Sequence, residues 1–280
     1  MIRWVVGLAA TVAMTSAANA QSASVKRGSY LVNTVMTCAN CHSPKGPPDA
    51  VKGKDYSGGL EFDEKPFKVT ASNITQDKET GIGKWTRAQI RTAILEGKRP
   101  NGTPLAEIMP TSFYKILTPS DTTAIVDYLR TLKPVSNKVP DPIYKIQLPH
   151  HLFPGAEKPY TATQLRDKVK RGFYLVTIAH CMECHSPMTD KGPDYVNGLG
   201  AGGHEFKGPW GVSVSRNITS HKEKGIGAWT DAEIKRAITD GVRKDGTKLK
   251  PPMGYQYYKG MTNGDLDAMV AYLRTLPAKE

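Results

Sequence analysis

Two five-residue stretches concentrate the reactive side chains of this 280-residue chain: Cys38-Ala39-Asn40-Cys41-His42 and Cys181-Met182-Glu183-Cys184-His185. Between them they hold all four of its cysteines. In C-x-x-C-H spacing the two thiols stand about one helical turn apart, so they can add to the two vinyl groups along one porphyrin edge. The imidazole that follows then lies under the iron, for which it is a good ligand. The reading is two covalently bound haem c groups, held by Cys38 and Cys41, and by Cys181 and Cys184. Other chemistries use the same residues less completely. A dithiol redox motif gives the following His no role. A single zinc on four cysteines requires the two sites to meet. Disulfides of three-residue span would be strained.

The chemistry is duplicated together with the chain around it. Lys26-Arg27-Gly28-Ser29-Tyr30-Leu31-Val32 recurs as Lys170-Arg171-Gly172-Phe173-Tyr174-Leu175-Val176. Asn73-Ile74-Thr75 and Gly81-Ile82-Gly83-Lys84-Trp85-Thr86 recur as Asn217-Ile218-Thr219 and Gly225-Ile226-Gly227-Ala228-Trp229-Thr230. Tyr128-Leu129-Arg130-Thr131-Leu132 recurs as Tyr272-Leu273-Arg274-Thr275-Leu276, and each copy lies 144 residues after its original. A period this long means two tandem domains rather than a solenoid.

The repeat also selects the second axial ligand. Met36, Met182 and Met188 sit too near the motifs to reach across a porphyrin, and Met261 and Met269 align with Leu117 and Ile125, which marks them as core. His150 and His151 fall between the halves, while His180, His204 and His221 have no copy. Met109 and Met253 do match, 67 and 68 residues beyond His42 and His185, each beside a proline in a loop with no helical face to bury. They are the expected axial partners of His42 and His185. Thioether ligation favours ferrous iron and raises the potential relative to two imidazoles. With both axial positions filled, the site suits electron transfer better than substrate chemistry.

The elements that position these groups read as helices. Thr86-Arg87-Ala88-Gln89 and Thr230-Asp231-Ala232-Glu233 are capping boxes. Ile90 and Ile94, like Ile234 and Ile238, then share a helical face, and Gly97 and Gly241 are C-terminal stops. Thr118 and Thr262 start a second helix in each half, with Asp121 and Asp265 three residues on. Residues 26–36 form a third, in which Gly28 leaves room for a close helix approach. The fold expected is all-α, with long irregular loops. Three short helices would not close a core alone, which is consistent with a porphyrin inside each domain.

The N-terminus is an address. A basic start, a run of about ten apolar residues and Ala18-Asn19-Ala20 read as a secretory signal peptide over residues 1–20. Domain 1 is expected over 21–133, a proline-rich semi-rigid linker over 134–160, and domain 2 over 161–280. The net charge of +12 falls to about +7 once Arg3 is removed and four haem propionates are added. Export and the spread of the lysines argue against nucleic acid. The remaining charge suits acidic partner surfaces or peripheral association with anionic membrane. Asn73 and Asn217 read as structural turns near a propionate, Trp85 and Trp229 as packing, and the Pro44 and Pro187 carbonyls as acceptors for the haem-binding imidazoles.

With these residues in place, the chain resembles the multihaem cytochrome c subunits of bacterial alcohol, gluconate and related dehydrogenases. The likeness rests on the C-x-x-C-H motifs, on Asn73-Ile74-Thr75 and Gly81-Ile82-Gly83-Lys84-Trp85-Thr86 with their copies, and on the loop Met ahead of Tyr114 and Tyr258. It implies two class I cytochrome c domains in which Cys38, Cys41, Cys181 and Cys184 hold haem and His42, Met109, His185 and Met253 bind iron. In such systems the cytochrome subunit accepts electrons from a dehydrogenase subunit and passes them to quinone or an oxidase; the reading for this chain is a periplasmic electron carrier between a dehydrogenase and an oxidase or another cytochrome of the respiratory chain, without catalysis of its own. Those subunits commonly carry three haems and a C-terminal membrane-binding helix; this sequence has two motifs. The rival reading is a dihaem enzyme, a peroxidase or sulfur-compound dehydrogenase with one open haem.

Overall fold

A computed structural model describes residues 22–45, 51–147, 152–190, 192–208 and 210–280. The signal peptide expected over residues 1–20 lies outside them. In the first half, α1 covers residues 22–35 and its last turn, Leu31–Val35, widens to π-helical spacing. It is followed by α2 (Ala39–His42), α3 (Arg87–Glu96), α4 (Thr111–Tyr114) and α5 (Pro119–Leu129). The second half repeats the series as α6 (Lys168–Ile178), α7 (Cys181–Cys184), α8 (Asp231–Asp240), α9 (Tyr255–Tyr258) and α10 (Asn263–Leu273). No described helix is long and apolar enough to cross a membrane.

The helix boundaries follow the sequence signals. Thr86 Oγ1 accepts from the Gln89 amide at 3.2 Å and Gln89 Oε1 accepts from the Thr86 amide at 2.8 Å, which completes the first capping box. Thr230 and Glu233 do the same for α8. Gly97 and Gly241 end α3 and α8 in the left-handed region, both at φ 64°. The close approach expected at Gly28 exists: a Cβ there would meet the Ala124 carbonyl oxygen of α5 at 1.9 Å. Gly172 of α6 stands against Ala268 of α10 in the same way, also at 1.9 Å.

The all-α expectation needs correction. Short antiparallel strands join the helices: β1 (Glu61–Asp63), β2 (Phe67–Thr70) and β3 (Ile143–Tyr144) form one sheet. In the second half β4 (Met188–Thr189) pairs with β5 (Gly192–Pro193), and β6 (Glu205–Gly208) with β7 (Gly211–Val214). The long loops fold back on themselves and satisfy their backbone groups by pairing. Runs of two to four residues leave no alternation to read in a sequence.

The proline-rich segment 134–160 is docked along much of its described length. Its Ile143–Tyr144 supplies β3, in register Phe67↔Tyr144 and Lys68↔Ile143. Further on, Phe153 is only 2% exposed and stacks on Phe113 at 4.6 Å and edge-on to Tyr195 at 5.1 Å. The Tyr160 amide donates to the Ile116 carbonyl at 2.9 Å.

The two halves pack with a reciprocal contact. Tyr30 of α1 donates its hydroxyl to Asp265 of α10, and Tyr174 of α6 donates to Asp121 of α5, each at 2.6 Å. The same carboxylates take an arginine of their own half, Arg171 on Asp265 and Arg27 on Asp121. Because 30 and 174, 27 and 171, and 121 and 265 are all separated by 144, the contact is isologous: each half offers the other the same group and receives the same in return. Asp121 and Asp265 are buried, so these charged hydrogen bonds are needed to offset their desolvation.

Candidate haem sites

Each C-x-x-C-H motif follows a sharp turn. Thr37 and His180 occupy the left-handed region, at φ 49° and 43°, and turn the chain from α1 into α2 and from α6 into α7. The four thiols are free of disulfides. Burial holds them protonated, with Cys38 and Cys181 pushed up to about 12 and Cys41 to about 11.

The two imidazoles are held alike. The Nδ1–H of His42 donates to the Ser72 carbonyl at 2.7 Å, and that of His185 to the Arg216 carbonyl at 2.6 Å. Burial lowers both imidazole pKa values, so each ring stays neutral with Nε2 left as a metal-binding atom. These bonds replace the expected ones to Pro44 and Pro187. The Pro44 carbonyl instead accepts from the Val51 amide at 3.1 Å and the Pro187 carbonyl from the Asp194 amide at 2.9 Å, each closing a loop after the motif.

Ser72 and Arg216 are the functional positions that motif reasoning missed, and the signal was the repeated Asn-Ile-Thr that follows each. Asn73 Oδ1 accepts from the Thr75 amide at 2.9 Å and from its hydroxyl at 2.7 Å, while Nδ2 donates to the Val135 carbonyl at 2.7 Å. Asn217 repeats the pattern with Thr219 and the Lys279 carbonyl. Both amides are spent on a structural turn, as expected, and that turn fixes the carbonyl just before it onto the imidazole. Asn73 Nδ2 also donates to Thr80 Oγ1 at 3.0 Å, which occupies both of its protons.

Met109 and Met253 are partly buried and line the same cavity as the two motifs. Their loops are tied at equivalent places: Leu105 donates to the Gly97 carbonyl and Leu249 to that of Gly241, each at 2.7 Å. Trp85 and Trp229 line the cavity too, and their carbonyls accept from Arg130 and Arg274 of the repeated Tyr-Leu-Arg-Thr-Leu segment. That explains why the arginine recurs with the tryptophan.

The cavity itself is large, about 3200 Å³, and continuous from one half to the other. Apolar walls from Ile82, Ile90 and Ile94, and from Ile226, Ile234 and Ile238, face the motifs. The fit to haem is good. Each half offers two free thiols, a neutral imidazole with an unused nitrogen, a thioether and an apolar space that the helices alone do not fill. Cys38, Cys41 and His42, and Cys181, Cys184 and His185, all line this one cavity.

Comparison with known proteins agrees with this geometry. The cytochrome c family matches residues 25–133 and again 169–277. The chain is 30% identical over 297 residues to the alcohol dehydrogenase (quinone) cytochrome c subunit of Gluconacetobacter polyoxogenes, covering 96% of this chain and 59% of that protein. It is 31% identical over 286 residues to the fructose dehydrogenase cytochrome subunit of Gluconobacter japonicus, covering 94% and 54%. With the diheme cytochrome c-type of Cereibacter sphaeroides the identity is 28% over 258 residues, covering 87% and 83%. The chain therefore spans less than two thirds of the length of the dehydrogenase cytochrome subunits and most of the length of the diheme protein. With two matched copies, each built around its own C-x-x-C-H motif, the chain belongs to the cytochrome c family and carries two covalently bound haem c groups.

Proposed function

We propose that this protein is a periplasmic dihaem carrier. It takes single electrons from a dehydrogenase subunit and passes them to an oxidase or another cytochrome of the respiratory chain. Cys38 and Cys41 hold one haem and Cys181 and Cys184 the other, with His42 and Met109, and His185 and Met253, as axial ligands. The observation that carries the reading is that each half lines its cavity with two free thiols, a carbonyl-anchored neutral imidazole and a loop methionine. Bound haem supplies a one-electron ferrous/ferric couple.

The protein's own groups do the rest. The Ser72 and Arg216 carbonyls orient the imidazoles and keep Nδ1 protonated, which raises the donor strength of Nε2. Met109 and Met253 would supply the second ligand to each iron and so would keep water and substrate from the metal. Apolar walls keep the site dry. The continuous cavity brings both motifs to one interface, where an electron can pass between the halves without leaving the protein. Residues 1–20 serve as the export signal.

Optical and resonance spectra of the holoprotein test this reading. Two low-spin centres with a sulfur–iron charge-transfer band are expected. Met109→Ala should lower the midpoint potential of one haem, and Met253→Ala that of the other. A high-spin centre that takes up peroxide or cyanide readily would replace the carrier with a dihaem enzyme.

A further inference from the structure

The hairpins at the two cavity mouths are equivalent in sequence position and opposite in finish. Residues 61–70 and 205–214 are related by 144, and both β1–β2 and β6–β7 line the cavity. In the first half the outer edge of β2 is covered by β3. Phe67 and Val69 turn inward and are buried at 6% and 7%, while Lys68, half-buried, reaches Glu61 and Asp63. Lys145, next to β3, donates to Asp63 Oδ1 at 2.7 Å and to the Glu64 carbonyl at 2.8 Å, and so fastens the third strand.

In the second half the pattern is shifted by one residue. Phe67-Lys68-Val69-Thr70 becomes Gly211-Val212-Ser213-Val214. The apolar residues now share the face of Glu205 and Lys207, with Val212 49% and Val214 42% exposed and Trp210 beside them at the rim of the cavity. A one-residue shift in a strand moves its apolar set to the other face, so this face is dressed for burial. Among the described residues β7 pairs with β6 alone, which leaves its outer edge unpaired. Natural sheets usually blunt such edges with charge or cover. The charge that fastened β3 is also reversed: Asp63 has become Lys207, and no described residue pairs with it.

We propose that the β7 edge is a docking site for an extended segment of a redox partner, added as a third strand in the register that β3 takes in the first half. The internal template specifies the occupant's chemistry. An apolar residue lies against Val212, an aromatic follows it, and an acidic residue meets Lys207 where Lys145 meets Asp63. Strand addition draws affinity from main-chain hydrogen bonds and specificity from alternate side chains. Among the charged residues that line the cavity in this half, Lys207, Arg216, Lys224, Arg243, Lys248 and Lys250 outnumber Glu183, Asp190, Glu205 and Glu223, which favours an acidic partner over a second copy of this chain. Docking here places the partner at the second haem cavity. What docking achieves rests on the electron-carrier reading; the binding itself does not.

The test uses the holoprotein and two synthetic peptides of residues 141–147, one with the natural sequence and one with Lys145→Glu. Binding is followed by titration and by hydrogen exchange at the Val212 and Val214 amides. The Lys145→Glu peptide should bind saturably, protect those amides and bind about fivefold more tightly than the natural peptide. Lys207→Glu in the protein should invert that preference and leave the spectra of both haems unchanged. Absence of protection by either peptide, or a preference that survives Lys207→Glu, overturns the proposal. Concentration-dependent protection of Val212 without peptide also overturns it and gives the edge to a second copy. None of these outcomes touches the haem spectra, so failure here is separable from failure of the carrier reading.

Discussion

Asp63 and Lys207 hold the same place in equivalent hairpins and look out on opposite surroundings. Around Asp63 the sheet is finished by β3, with Lys145 on the carboxylate. Around Lys207 the strand edge is open and the outward residues are valines. Between the halves the contrast disappears: Tyr30 on Asp265 and Tyr174 on Asp121 are the same bond made twice. A two-fold contact constrains both copies at once, because a change in one copy alone spoils one of its two bonds. The outward mouths carry no such constraint. A duplicated cytochrome c can therefore keep its halves in fixed relation while its two ends diverge.

The sharpest way to break that comparison is at the helix crossings, where the halves should respond alike. Gly28→Ala and Gly172→Ala each place a Cβ 1.9 Å from a backbone carbonyl oxygen, which cannot yield as a flexible side chain can. Overpacking of this kind costs about 3 kcal/mol, the upper end of its usual range. At about 3 °C per kcal/mol for a protein of this size, the thermal midpoint of either holoprotein should fall by about 9 °C. Far-UV circular dichroism would read the change. If one substitution is tolerated and the other is not, the α1–α5 and α6–α10 pairs are not equivalent.

The crossing at Gly28 was legible in the sequence, and the reason is physical. A glycine inside a helix costs stability, so one that recurs at the same place in both halves marks a close approach. Capping boxes were legible because the bonding partners lie three residues apart. The cofactor was legible because two thiols and an imidazole at fixed spacing are a local signal. The imidazole acceptors were not. Ser72 and Arg216 act through backbone carbonyls, which every residue possesses, and they reach the imidazoles from 30 and 31 residues away. The strands escaped for want of length, and β3 because Ile143–Tyr144 sits in a proline-dense segment with no alternation.

A smaller effect comes from the interface carboxylates. Asp121→Ala leaves the Tyr174 hydroxyl and the Arg27 guanidinium without their acceptor, and Asp265→Ala does the same to Tyr30 and Arg171. The hydroxyl and the partly exposed guanidinium left without an acceptor make each substitution cost about 2 kcal/mol. Denaturant unfolding of the two variants should give equal shifts in midpoint. Unequal shifts would mean that the reciprocal bonds carry different loads, and the two-fold relation would then hold in geometry without holding in energy.

The smallest effect separates two residues that the symmetry makes equivalent. Tyr30 is half-buried and Tyr174 almost wholly buried. Burial, and then the bond to Asp265, raises the Tyr30 pKa from 10.0 to about 12, whereas Tyr174 is held well above its ordinary value. A raised phenol pKa means that the folded state holds its proton more tightly than the unfolded chain does. The stabilisation is complete below pH 10 and is lost as the pH climbs from 10 to about 12. Denaturant midpoints measured across that window should fall less in Tyr30→Phe than in the unsubstituted protein, because Phe has no proton to lose. Tyr174→Phe, compared with its own midpoint at pH 9, should keep the Tyr30 decline. If Tyr30→Phe falls as steeply as the unsubstituted protein, the alkaline loss comes from groups other than Tyr30, and the solvent-facing side of the two-fold contact plays no part in it.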